Sequence, residues 1–249
     1  MYKNLLVLFV LLHVLGDFYL QTDTISEKKI AEYKYVLLHS VLYAAVFCAG
    51  TILIWSSQIA IAAFGLSILH FLIDSVKYLC VKHYKHVSES IVYCTDQCVH
   101  ILSLIIAVII FKYCNYNIAF LPEAKSFLNI FPDNGVASAL RWACIILIVC
   151  KPANVTIKKM LSKYKPNSKN GNSDKTIKNV GAFIGTLERI IIVLLLSVNQ
   201  YAAIGLVLTA KSVARYDKIS KEPPFAEYYL LGTLLSTLLV ILTYLLLCK

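Results

Sequence analysis

The sequence predicts an all-α, polytopic integral membrane helix bundle of about eight transmembrane helices (six to eight), with both termini extracytoplasmic. Three observations carry that prediction. The chain is 59% hydrophobic with 15% charged residues, outside the range of a water-soluble core. Its apolar residues are gathered in runs, several of them long enough to cross a bilayer at about 20 residues each. Its lysines fall on alternate loops between those runs, the pattern left by orientation in a membrane.

Each element is read in turn. Residues 3–20 are an apolar run without a small-residue cleavage site, so they read as a retained membrane helix and not a signal peptide. A charged turn with Lys28, Lys29 and Lys34 precedes the second helix, Tyr35 to Trp55. Ser56-Ser57-Gln58 breaks the chain before helix three (59–81), and a basic loop, Lys82–Lys85, leads to helix four (90–112). Residues 113–135, with two prolines, read as a segment lying along the membrane surface.

Helix five (136–151) is expected to stop at Lys151-Pro152. Residues 152–179 then form a flexible basic loop, rich in Lys, Asn and Ser, within a single transmembrane domain spanning 1–249. Helix six (180–198) turns at Asn199-Gln200 into a seventh apolar run that is short for a span, so six and seven also read as a re-entrant hairpin. A basic loop, Lys218 to Pro224, precedes helix eight (226–247).

The formal charge of +10 invites a nucleic-acid reading, but the placement of the charge excludes it. With the loop between helices five and six inside, every alternate loop is also lysine-rich, and the opposite side keeps few cations. Eight cysteines without a CxxC pair suggest neither a zinc ribbon nor a disulfide framework.

Chemistry enters through three His/Asp pairs four residues apart, His13/Asp17, His70/Asp74 and Asp96/His100. That spacing sets both side chains on one helical face, and chance predicts only about 0.3 such pairs in this chain. The predicted topology brings all six, with His39, to similar depth near the cytoplasmic side. Imidazole and carboxylate are ligands for divalent Zn, Mn, Mg or Fe, and ionisable groups in apolar helices are costly unless paired or functional. The plainer alternative is that each imidazole hydrogen-bonds its own carboxylate. His83 and His86, in the basic loop, read as solvated.

The last third adds cations. Glu188-Arg189 follows a Gly181-x-x-x-Gly185 face suited to close helix packing, and Lys211 and Arg215 are one turn apart. Arg189, Lys211 and Arg215 read as substrate-binding, a clamp for phosphate or a lipid headgroup, with Glu188 as a general base or as the counter-ion of Arg189. Snorkelling of Lys and Arg to the headgroups is the alternative.

The strings His13-x-x-Gly16-Asp17-Phe18-x-Leu20-Gln21, His70-Phe-x-Ile-Asp74, Asp96-Gln97-x-x-His100, Gly185-x-Leu-Glu188-Arg189, Lys211-Ser-x-x-Arg215 and Glu227-Tyr-x-Leu-x-Gly232-Thr resemble the signature of an uncharacterised bacterial membrane family, domain of unknown function 3307. The resemblance implies a multi-pass protein of the bacterial inner membrane and brings no activity with it. A looser similarity, through the intramembrane His/Asp pairs, is to bacterial membrane-bound metal-dependent hydrolases of the YdjM type.

The expectation is a metal-dependent hydrolase. Its ligands are His13, Asp17, His70, Asp74, Asp96 and His100, with His39 beside them, acting at the cytoplasmic face on a phosphate- or ester-containing lipid-like substrate. A cation- or proton-coupled transporter and a non-catalytic scaffold with a basic docking loop are the alternatives. Membrane lipids are the expected partners.

Overall fold

In a computed structural model the described residues are 2–52, 54, 56–84, 88–116, 135–166 and 180–248, and all their regular structure is helical. The surface segment expected at 113–135 falls almost wholly outside them, as do His86 and most of the basic linker, 167–179. Seven helical segments among the described residues are long and apolar enough to cross a membrane. Large side chains such as Ile61, 70% exposed, and Leu246, 74% exposed, project outward from them. An outer face of that kind suits hydrocarbon and would aggregate in water. The chain is a multi-pass membrane protein.

The described residues divide into two compact units, 1–147 and 148–249. In the first, α1 (Tyr2–Val14) runs into a π-helical turn, Leu15–Tyr19. Then come α2 (Asp23–Ala31), α3 (Tyr33–Thr51), α4 (Ser57–His83) and α5 (Glu89–Tyr113). α1 packs on α3 and α5, α3 on α4, and α4 on α5, which makes an antiparallel four-helix bundle.

Each of the four helices turns one stripe inward at three- and four-residue spacing, and each stripe changes character halfway. Leu5, Phe9 and Leu12 lead to His13; His39 leads to Tyr43 and Phe47; Ile59, Ala63 and Leu66 lead to His70 and Asp74; Asp96 and His100 lead to Leu104, Val108 and Phe111. One half of the bundle interior is thus a packed apolar core, and the other half is ionisable.

α2 occupies the charged turn expected around Lys28. Thr22 caps it by accepting from the Ile25 N–H at 3.3 Å, and Asp23 in its first turn and Lys28 in its last suit the helix dipole. The charge count that marked this stretch as a loop does not register a capping residue. Ser56, in the expected break, likewise accepts from the Ile59 N–H and caps α4.

The long helix α6 (Gly135–Met160) does not stop at Lys151. It continues through Pro152, whose missing N–H removes only the bond to Ile148 and is tolerated where neighbouring groups satisfy the backbone. A 3-10 turn, Ser162–Tyr164, follows it.

The second unit holds the end of α6 together with α7 (Val180–Ser197), α8 (Tyr201–Val213), α9 (Tyr216–Lys221) and α10 (Pro223–Cys248). Asn199, at φ 57°, makes the tight turn between α7 and α8. At 13 residues α8 reaches about 20 Å, short of the roughly 30 Å hydrocarbon layer. The expected basic loop at 218–224 is partly helical, as α9.

Candidate metal centre

The seven sequence-predicted His and Asp residues come together inside the first unit. All are buried, His39 completely and His70 and Asp74 at 1% exposure each. His39 Nε2 lies 3.2 Å from Asp17 Oδ1, 3.5 Å from Asp74 Oδ2 and 3.1 Å from His70 Nε2. His70 Nδ1 in turn lies 3.3 Å from His100 Nδ1. An imidazole nitrogen carries at most one hydrogen, so it can serve one acceptor and not three. The arrangement holds more lone pairs aimed at one another than the rings have protons to place between them.

Two of the three pairs remain pairs. His70 Nε2 is 3.4 Å from Asp74 and His100 Nε2 is 3.5 Å from Asp96. The third does not: the π-helical turn, closed by the Leu20 N–H on Leu15 at 2.9 Å, adds a residue between His13 and the next turn and re-aims Asp17 at His39. His13 Nδ1 lies instead 3.2 Å from the Tyr43 hydroxyl. Tyr43 stacks on His70 with ring centroids 3.6 Å apart, and it approaches so closely that a Cβ on Gly16 would sit 2.7 Å from its ring.

Three polar neighbours escaped the sequence reading. Lys29 reaches from α2 to Asp74 Oδ2 at 2.6 Å, and Lys77 lies 2.6 Å from Asp96 Oδ2 and 3.8 Å from Asp74 Oδ1. Gln97 donates to Asp17 Oδ2 at 2.7 Å. Both lysines read in sequence as orientation charges. Lys77, three residues after Asp74, had a helical spacing that could have identified it; Lys29 had none.

The lysines take one oxygen each of Asp74 and Asp96. The remaining oxygens, Asp74 Oδ1 and Asp96 Oδ1, and the nearby His100 Nε2 are buried without a hydrogen bond. The 3.5 Å approach of His100 to Asp96 is an ion-pair distance that lacks hydrogen-bond geometry, so it does not satisfy either atom. His13 Nε2 and His39 Nδ1 are likewise unpaired.

Three triads offer ligand atoms within 4.8 Å of one another: Asp17/His39/His70, His13/His70/His100 and Asp74/Asp96/His100. Atoms bound to one ion at zinc-like distances lie at most about 4.4 Å apart, so only small shifts separate each triad from coordination. The buried His/Asp groups can hold a metal ion.

The other predicted site residues gather in the second unit. Glu188 is 5% exposed, and its partner is Lys211 at 2.5 Å, not Arg189. Arg189, 1% exposed, donates to the Val149 carbonyl, to Asn154 Oδ1 at 2.6 Å, to Thr186 at 3.1 Å and to Ser236 at 3.4 Å. It ties α6, α7 and α10 together. Arg215 is exposed and lines a cavity beside α10.

No curated protein and no solved structure matches the chain, which leaves the looser hydrolase resemblance without support. A family match covers residues 5–128, which include every member of the His/Asp cluster and end before the Glu188, Lys211 and Glu227 motifs. Over those residues the chain belongs to the family described as Protein of unknown function (DUF3307).

Proposed function

We propose that the first unit is the metal centre of a hydrolase, acting from the cytoplasmic face on a phosphate- or ester-containing lipid-like substrate. One observation carries this reading: Asp74 Oδ1, Asp96 Oδ1 and His100 Nε2 are buried acceptors with no donor, in residues that converge within 4.8 Å. Unsatisfied acceptors in an apolar bundle are costly, and a cation removes that cost for all three at once. Asp17/His39/His70 and Asp74/Asp96/His100 share no residue, so the cluster has ligands for two ions, with His13 held aside by Tyr43. The mixed N/O ligands suit Zn, Mn or Fe better than Mg, which favours oxygen. A divalent ion there supplies Lewis acidity and brings the pKa of water toward neutrality, the chemistry of ester and phosphoester hydrolysis.

The apolar half of the bundle supports a one-sided site. Among the described residues, Phe9, Phe47, Ile59 and Phe111 fill the interior beyond the cluster with apolar side chains. The lysine bias of the loops assigns the open side to the cytoplasm and both termini outward, and labelling of a cysteine at position 168 from the cytoplasmic side alone checks that orientation. Glu188, paired with Lys211, fits the role of counter-ion better than that of base.

The direct test is metal analysis of the purified protein beside His70→Ala and Asp96→Ala. Each substitution removes most of the bound metal from a protein that still folds, and combining them costs little more than either alone if they serve one centre. Full metal retention in both single variants would sink the proposal.

A second reading has one observation in its favour. Lys77 already lies between Asp74 and Asp96, where a cation would be wanted, as in a proton or cation relay of a transporter. The two readings part on Lys77→Met, which frees carboxylate oxygens for a metal but removes a charge from a relay.

A further inference from the structure

The second unit contains a cavity of about 490 Å³ that none of the chemistry above uses. Among the described residues, Lys158, Arg189, Lys211 and Arg215 line it, and no acidic residue does. Arg189 is committed to four protein acceptors and Lys211 to Glu188, so these two shape the wall. Lys158 and Arg215 are exposed and have no side-chain partner among the described residues. They stand free to meet an anion.

The wall between these cations is apolar, built from Val155, Ile157, Leu161, Ile184 and Phe225. Gly181, Gly185 and Gly232 add no side chains to it. Tyr229 is also on the lining, with Lys211 Nζ 5.4 Å from the centre of its ring. The cations favour an oxygen that carries negative charge. A free phosphate satisfies the cations but leaves about 490 Å³ of mostly apolar space in contact with water. An apolar ligand fills the space but leaves the cations unserved.

We propose that this cavity binds a phosphate-bearing amphiphile, with its anionic oxygens held by Arg215 and Lys158 and its apolar part against the α6, α7 and α10 walls. The proposal deepens the lipid-like substrate class of the metal-centre reading but stands on separate residues. Lipid is therefore measured in protein stripped of metal by chelator, so that the two fail independently.

The experiment is native mass spectrometry of the full-length chain in detergent, titrated with phosphatidic acid, with phosphatidylcholine of the same acyl chains, and with inorganic phosphate as competitor. Phosphatidic acid is expected to bind at least about tenfold tighter than phosphatidylcholine, a typical margin for charge-assisted contacts. Lys158→Ala with Arg215→Ala removes that preference, and neither residue has a side-chain partner whose loss would unfold the protein. Metal content, measured before chelation, is unchanged in the double variant. Equal binding of the two lipids, or an undiminished preference in the double variant, overturns the proposal. Displacement of phosphatidic acid by inorganic phosphate at similar concentration overturns the amphiphile in favour of a plain anion site.

Discussion

Arg189 in the second unit and the His70/Asp74 cluster in the first are about equally buried, and they are opposite in kind. Arg189 makes four hydrogen bonds to acceptors on α6, α7 and α10, so its charge is dispersed over neutral oxygens and nothing is left to bind. The cluster does the reverse. Three carboxylates meet two ammonium groups and four imidazoles, and five of its N and O atoms still have no hydrogen bond. Burial of charge alone therefore does not mark a working site. What sets the cluster apart from Arg189 is its unbalanced set of acceptors, because an apolar bundle has no water to supply what is missing.

The contrast breaks most readily at the cluster. His70→Ala is expected to abolish most metal binding while the helices and the apolar core persist, seen as lost metal by elemental analysis with unchanged helical circular dichroism. Arg189→Ala should do the opposite. It strands the Val149 carbonyl and Asn154 and costs about 3 kcal/mol, read as a lower unfolding temperature in detergent with the metal still bound per folded molecule. If Arg189→Ala lost the metal as fully as His70→Ala, the distinction between the two kinds of burial would not hold.

Lys77→Met sharpens the comparison further. With the ammonium gone, Asp74 and Asp96 are released to a cation, and metal affinity is expected to rise by about tenfold. A fall would favour the relay. Gly16→Ala is the gentlest of the set. Its methyl group meets the Tyr43 ring, and the expected cost is about 1–2 kcal/mol of stability with a partial loss of metal as Tyr43 shifts on His70.

How much of this was legible in the sequence depended on the range of the interaction. The His/Asp pairs were visible because helical spacing is local, and their common depth followed from the lengths of the helices between them. The swap of Asp17 from His13 to His39 was not visible, since it depends on a π-helical turn that no short pattern announces. Lys29 and Lys77 read as orientation charges of the inner loops, yet both lie in helices and turn inward to the carboxylates, and charge counting does not distinguish the two fates. Glu188 and Arg189 are neighbours in sequence but point to different partners, because adjacent residues on a helix face about 100° apart.

Lys29 has a further consequence through the helix that carries it. α2 is nine residues long, its other side chains are at the surface or partly so, and Lys29 is its single buried residue. A helix that short does not persist unaided; α2 is held by the Lys29–Asp74 bond at 2.6 Å, with Lys28 on the Tyr35 hydroxyl and Lys29 on Gln21, both at 3.3 Å, beside it. Detaching it frees an oxygen of Asp74 on the lysine-rich side and disturbs none of the apolar packing of α1, α3, α4 and α5. α2 is in that sense a latch: a short surface helix is fastened directly to a carboxylate of the buried cluster. Its amides are expected to exchange with deuterium well before those of α4, and Lys29→Met should speed that exchange in α2 alone.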